Sequence, residues 1–579
     1  MNFLRILPAS TLLPLLLVAN ACSSATSTSS SDTTDGGTSS GSDGDGGAPE
    51  GTLPGPFDEA QAITWGPCAT VTDAPATMEC AIVRVPLDWN APTGPQIQVT
   101  MARVLSGHAE AGAFWEIPGG PGEATLSASF ATEATGLQTP DRPLDYYGYD
   151  HRGLGASTPL GCPKFSAQSG KSVKAMSVAE TKSCAEEISA HWGKGLRGFS
   201  ATNAAKDIDY LTKRVRRPGQ RLFVRGISYG THLAIRYIAA NPNDATGVIL
   251  DSISPPGSYY SRYDEGHAEA GRNLAEYCKK DTFCAGKMGA DPWATITSIV
   301  ASLRADGCAA LFAGQPEMTA DGERTREQFV QTVSGILGQG NSRSPQVLVD
   351  YLAVLYRAKR CSAADVAAIT KRMTGAEDPA VVSPEEPGGS SPDDATPKGV
   401  GRGSVDGTAL YYNVIFNDIW EDPAPTKDRL STACFSAPVC IGGNLRNEDM
   451  REVWPLFPPR EDKFYDFWPS PTFPVLSMNG DLDAQTSLSD ATPVKDKFTG
   501  ANQTFHTIAY GTHALTAGQG SSAVKTAGKP DCGVDLMNQF LTDPTKTLDT
   551  SCVGDAKPVD FHGSTEQAQR FGTADLWEN

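Results

Sequence analysis

Gly226-Ile227-Ser228-Tyr229-Gly230 lies between an apolar, strand-prone run at residues 221–226 and a helix-prone run at residues 231–240. No other feature restricts the folding of this chain as much. A serine on so sharp a strand-to-helix turn takes a strained backbone conformation, and the flanking glycines let neighbouring segments approach. The turn pushes the hydroxyl into the open at a helix N-terminus, where the positive dipole end favours negative charge. The pentapeptide alone is common. Between a strand and a helix it marks a nucleophilic serine, Ser228.

The surrounding pattern supplies a sheet to carry such a turn. Residues 81–89 and 96–105 read as a hairpin across Asn90-Ala91-Pro92-Thr93-Gly94-Pro95. Short apolar strands follow at 113–117, ending in Pro118-Gly119-Gly120-Pro121-Gly122, and at 146–150, running into His151-Arg152-Gly153. A helix is expected at 203–215, and further strands at 247–250, 474–478 and 503–509. Strands alternating with helices imply a mostly parallel sheet with helices on both faces, an α/β fold. Between 251 and 473 the alternation stops, and helical stretches dominate at 264–277, 292–303, 326–337 and 345–357. A Pro/Gly/Ser-rich loop, 384–403, interrupts them. The expected organisation is a core of 58–253 and 473–579, with a large helical cap, 254–472, inserted before the strand that leads to Asp483.

A nucleophilic serine needs a base, and the base needs an orienting acid, in the chain order Ser, Asp, His. Asn479-Gly480-Asp481-Leu482-Asp483 and Tyr510-Gly511-Thr512-His513 each follow a strand. Ligands of open α/β sheets bind at such strand ends. Asp483 is preferred to Asp481, which reads as a turn residue, and His513 to His506, which lies inside a strand. Asp251, at another strand end, is a second candidate acid. Oxyanion donors are expected from the N–H of Tyr229 and from the glycine loop, at Gly120.

The N-terminal region points to export. Residues 1–21 have a basic start at Arg5 and a short apolar run at 12–19, which reads as a signal peptide. Val18-Ala19-Asn20-Ala21-Cys22 resembles a lipobox, which would place lipid on Cys22. Residues 23–47, almost all Ser, Thr, Gly and Asp, suit a disordered tether extending over 22–57. Of 13 cysteines, setting Cys22 apart leaves an even set, as expected for disulfides in an exported chain. Neighbour pairing gives Cys68–Cys80, Cys162–Cys184, Cys278–Cys284, Cys308–Cys361, Cys434–Cys440 and Cys532–Cys552. With no CxxC and no nearby His at ligand spacing, zinc is discounted, and no metal or cofactor is expected. The net charge of −19 argues against nucleic acid as a partner.

These motifs together resemble the tripeptidyl and prolyl aminopeptidase branch of the α/β-hydrolases. The likeness rests on residues 65–68, Glu79-Cys80, Val85-Pro86-Leu87-Asp88-Trp89 and Pro118-Gly119-Gly120-Pro121-Gly122. It continues through Asp150-His151-Arg152-Gly153-Leu154-Gly155-Ala156-Ser157, the Ser228 motif, the Asp483 motif and Met537-Asn538-Gln539-Phe540-Leu541. The resemblance implies a serine peptidase with Ser228, Asp483 and His513 as its triad and Gly120 in the oxyanion loop. It also implies a small peptide substrate cleaved near a free N-terminus, and a place at the bacterial cell envelope, touching membrane only through the lipid anchor. Pro118 stands where prolyl aminopeptidases usually carry His, Ala484 where Pro is common, and Thr512 separates Gly511 from His513. The cap, whose opening segment carries Asp264, Glu265 and Glu269, sets the substrate. The same core would serve an esterase or lactonase. A binding protein that had lost the chemistry would not need an intact Ser, Asp and His.

Overall fold

The computed structural model describes residues 52–53, 55–117, 119–162, 177–318, 324–340, 344–374 and 407–578. The expected signal peptide, Cys22, most of the tether, Pro118 and the 384–403 loop lie outside them.

Nine strands form one sheet: β1 (Gly66–Pro67), β2 (Met78–Pro86), β3 (Gln96–Val104), β4 (Gly112–Ile117), β5 (Leu144–Tyr149), β6 (Leu222–Ile227), β7 (Gly247–Asp251), β8 (Val475–Gly480) and β9 (Gln503–Ile508). Their spatial order is β1-β2-β3-β5-β4-β6-β7-β8-β9. The first three pairings are antiparallel and the remainder parallel. With the strand–turn–helix at Ser228, this is the α/β-hydrolase fold, carrying one short extra edge strand.

The central strands are buried and mostly apolar because both faces are covered, and charge within them is paired, as Glu116 of β4 is with Arg225 of β6 at 2.7 Å. In β4 every residue is buried. Ala113, Trp115 and Ile117 face one core, and Phe114 faces the other, as the two-residue period of a strand requires. The first core joins the sheet to the helices Val178–Trp192, Ala201–Val215 and Tyr229–Ala240. The second joins it to Ala128–Leu137 and Cys532–Thr542.

Between β7 and β8 the described elements are all helices, with no strand of the sheet among them. The helix expected at 345–357 starts as a 3-10 turn, Pro345–Leu348, and becomes α-helical over Val349–Arg360. Thr408–Asn417 was not anticipated. All ten of its residues are buried, so it lacks the polar face that makes a helix visible in sequence.

Two features depart from the division at 472/473. Leu410, Tyr412 and Ile415 belong to the apolar core of the sheet. Val559, Phe561, Phe571 and Trp577 join Leu274, Val300 and Leu352 in the core of the inserted helices instead. Arg357, fully buried, donates to the carbonyls of Asp575 (3.0 Å), Leu576 (3.0 Å) and Glu578 (2.6 Å) and so ties the last residues to the insertion. This segment has neither strand alternation nor a long helical period, so its sequence does not reveal which layer it joins.

The structure links Cys68–Cys80, Cys162–Cys184, Cys278–Cys284, Cys308–Cys361, Cys434–Cys440 and Cys532–Cys552. Among the described residues no helix is long and apolar enough to cross a membrane.

Candidate active site

Ser228 follows the last residue of β6 and is the N-cap of the helix Tyr229–Ala240, with φ 59° and ψ −129°. A non-glycine residue is rarely found there, and holding it costs on the order of 1–3 kcal/mol. The turn is locked from several sides. The Ser228 N–H donates to the Asp251 carbonyl at 3.0 Å, and the Ser228 carbonyl accepts from the Thr231 N–H (2.9 Å) and hydroxyl (2.6 Å). The same Thr231 oxygen accepts the Ser254 N–H at 2.8 Å. A side chain at Gly226 would run into the carbonyl of Gly230, so strand and helix close this tightly only with glycine at the first position of the motif. The Ser228 side chain is only partly buried.

His513 lies beyond the end of β9, and its Nδ1 is 3.0 and 2.9 Å from the two oxygens of Asp483. Both side chains are almost completely buried. Asp483 Oδ1 also accepts the N–H groups of Gln485 and Thr486, each at 2.9 Å, and Oδ2 accepts the Thr486 hydroxyl at 2.8 Å. Burial alone would raise the Asp483 pKa, yet the charge and hydrogen bonds of His513, with those of Thr486, hold it below the usual carboxylate range. Burial opposes protonation of His513, and the Asp483 charge and hydrogen bond, helped by Asp251 and Glu123, outweigh it and raise its pKa above 6.5. The two shifts agree: the pair favours imidazolium against carboxylate. Thr486 was missed in the sequence. Its place just after the Asx turn that Asp483 makes with the Gln485 N–H was the available signal.

The rejected candidates sit elsewhere. Asp481 accepts the hydroxyl of Tyr277, and its carbonyl accepts the Asn273 amide at 2.7 Å, so it docks the helix Tyr263–Lys280. His506 stays within β9 with a buried, unpartnered Nε2, and burial lowers its pKa. Asp251 does not hydrogen bond to His513. Its carboxylate takes the N–H groups of Leu515 (3.0 Å) and Thr516 (2.8 Å) and the Thr516 hydroxyl (2.6 Å).

The glycine loop is shaped for close approach. Gly120 has φ +101°, and a Cβ there would strike the backbone nitrogens of Gly122 and Glu123. Its carbonyl is held by the Tyr260 hydroxyl at 2.8 Å. Among the described residues neither the Gly120 N–H nor the Tyr229 N–H donates to an acceptor. The Asp150 carboxylate holds the segment that follows this loop, accepting the N–H groups of Thr125 and Leu126 (3.0 Å each) and of Ala156 (2.8 Å). Arg152, completely buried, pairs with Asp207 at 2.5 Å and donates to the carbonyls of Leu87 (2.7 Å) and Gly198 (2.8 Å). Asp150 therefore fixes the segment that follows the glycine loop, and Arg152 joins the end of β2 to the helix Ala201–Val215. Buried His151 has its pKa lowered to about 4 by desolvation.

Of the carboxylates noted on the insertion, Asp264 is buried, accepting the N–H groups of Ile441, Gly443 and Asn444 at 3.3 Å. Glu269 binds the N–H of Ser489 at 3.1 Å, and Glu265 is exposed. Among the described residues the one grouping of possible metal donors is Asp264 with Cys434 and Cys440, whose sulfurs are bonded to each other.

No family model matches the chain. It is 26% identical over 229 residues to the tripeptidyl aminopeptidase of Streptomyces coelicolor, covering 36% of this chain and 42% of that protein. It is 27% identical over 251 residues to a serine protease of Mycobacterium tuberculosis, covering 40% and 48%. A shorter match, 34% identical over 114 residues, is to carboxylesterase B of the same species and covers 19% and 22%. The chain thus spans less than half the length of the curated relatives it matches.

Proposed function

We propose that the chain is a serine hydrolase that releases one or a few residues from the free N-terminus of peptides. The observation that carries this reading is the buried His513–Asp483 pair beyond the C-terminal ends of β8 and β9, the same end of the parallel sheet at which the strained, partly exposed Ser228 follows β6. In this reading Ser228 Oγ attacks the scissile carbonyl carbon while His513 Nε2 takes its proton. Asp483 holds the imidazole by Nδ1 and stabilises the imidazolium. The N–H groups of Tyr229 and Gly120 receive the negative oxygen, being donors without an acceptor among the described residues. His513 then gives its proton to the departing amine, and water activated by His513 releases the acyl group from Ser228.

The similarity to a tripeptidyl aminopeptidase and a serine protease favours peptide over ester. The shorter similarity to a carboxylesterase keeps an ester-cleaving second reading. The inserted helices at 254–472 are assigned as the cap that limits how much chain enters. Export and lipidation of Cys22 complete the proposal, supported by the apolar run at 12–19 and the polar tether that follows. Exchanging Cys22→Ser should move the protein from the membrane fraction to the soluble one.

Two measurements test the activity. A fluorophosphonate should label Ser228. A peptide substrate with a free N-terminus should lose at least about tenfold in kcat/KM when that N-terminus is acetylated, since losing a charged hydrogen-bond partner costs roughly 1.5–3 kcal/mol. Equal rates, or faster turnover of simple acyl esters than of any peptide, would favour the esterase.

A further inference from the structure

β7 lies between the strand that leads to Ser228 and the strand that leads to Asp483, pairing through Ile227↔Asp251 and Asp251↔Met478. At its C-terminal end, residues 251–253 reach all three segments of the site. The Asp251 carbonyl holds the Ser228 N–H at 3.0 Å. The Asn479 side chain accepts the Ile253 N–H at 2.7 Å and donates to the Thr486 carbonyl at 2.9 Å, steadying the loop that contains Asp483. Ser252, at φ 58°, bonds its hydroxyl to Asp251 Oδ1 at 3.0 Å and accepts the Ala514 N–H at 2.8 Å. The Asp251 carboxylate then takes the Leu515 and Thr516 N–H groups and the Thr516 hydroxyl. The three residues immediately after His513 are thus clamped by Asp251 and Ser252, both fully buried.

We infer that Asp251 is a positioning residue of this site, holding the Ser228 turn and the His513 loop in one rigid frame through its main chain and its carboxylate respectively. This rests on the reading of Ser228, Asp483 and His513 as a triad. The chemistry of the clamp calls for a carboxylate. Four donors converge on its two oxygens: the Ser252 and Thr516 hydroxyls and the Leu515 and Thr516 N–H groups. An amide at 251 would set its own N–H2 against two of them, and a buried donor without an acceptor is costly. His513 would be the first side chain displaced, because the loop that carries it loses its anchor. A shift of about 1 Å in a reacting group is worth roughly a hundredfold in rate.

Asp251 also acts on the base by charge. The carboxylates that act on His513 are Asp483 from the loop after β8, Asp251 from the end of β7 and Glu123 from the glycine loop. His267, on the inserted helix Tyr263–Lys280, feels Asp483 and is kept neutral by burial, its pKa lowered to about 4. Removing the Asp251 charge therefore lowers the His513 pKa and moves the acid limb of the pH profile down, a change that a role in overall folding alone would not produce.

The test uses the full-length protein and the variants Asp251→Asn, Ser252→Ala and Thr516→Val, with kcat, KM, pH profile and fluorophosphonate labelling rate on each. Folded Asp251→Asn should lose roughly a hundredfold in kcat and in labelling rate, with KM little changed and the acid limb displaced to lower pH. Ser252→Ala, which removes the two bonds of the Ser252 hydroxyl, and Thr516→Val, which removes one, should lose less, again in kcat. Asp251→Asn with the kcat and acid limb of the parent protein overturns the inference. If that variant does not fold, unchanged kcat in both milder variants does so. Parent protein that is not labelled at Ser228 overturns the triad reading instead, which separates the two failures.

Discussion

Ser228 and His513 owe their placing to different kinds of bond. Ser228 is held by its own backbone in a region of positive φ, whereas His513 is held by the carboxylate of Asp483. Ser228→Ala should fold normally, because no packing depends on its hydroxyl, and lose about 10⁴-fold or more in kcat. His513→Ala should come close to the same loss, and His506→Ala should retain activity. A dead His506→Ala beside an active His513→Ala would reverse the assignment of the base. The pH dependence has a defined sign. The base must be neutral to take the serine proton, and the His513 pKa is raised above 6.5. Activity should therefore fall as pH drops through that raised value, with the acid limb of kcat/KM above 6.5. A limb below 6.5 would contradict the pairing with Asp483.

At the scale of the element, the elbow works only if β6 and the helix Tyr229–Ala240 nearly touch. Gly226 is the point of contact, and a methyl group there meets backbone that cannot swing aside. Gly226→Ala should destabilise the protein by about 1–3 kcal/mol in urea unfolding, the usual cost of overpacking. It should also slow labelling of Ser228. A stable, fully reactive Gly226→Ala would show that the turn tolerates more space than its geometry gives. The glycine loop differs: Gly122 abuts the Gly407 backbone, so residues beside the inserted helix Thr408–Asn417 help shape it.

Across the whole molecule, covalent links and the C-terminal segment do what a single core does in smaller proteins. Cys308–Cys361 has the longest span of the six pairs, 53 residues. Both cysteines lie within the inserted region, beyond the helices Pro292–Ala305 and Val349–Arg360 respectively. By chain entropy, opening a loop of that length costs about 4 kcal/mol. Replacing both cysteines with serine should lower the unfolding midpoint of the protein, and the change should vanish when parent and variant are compared under full reduction. An effect that persists under reduction would trace it to packing of the serines rather than to the cross-link.

The local chemistry of this chain was written in short segments. The hairpin, the buried strands of the sheet, the Ser228 turn and the positions of Asp483 and His513 at strand ends all follow from apolar period, glycine placement and strand-then-loop order, which act over a few residues. Thr486 belonged to that class and was overlooked, although its spacing from Asp483 was visible. Other features depended on contacts between residues far apart in the chain. Nothing near Asp251 announces that its carboxylate will meet residues 515 and 516, more than 260 positions away. Thr408–Asn417 carries no amphipathic stripe because it is enclosed on every side. Residues 559–577 joined the inserted helices rather than the sheet because Arg357 and an apolar cluster received them there. Periodicity reports which face of a segment seeks burial. Which partner completes that burial, and which buried carboxylate finds its donors, is settled only when distant segments meet, because the energy lies in the contact and not in either strand of sequence.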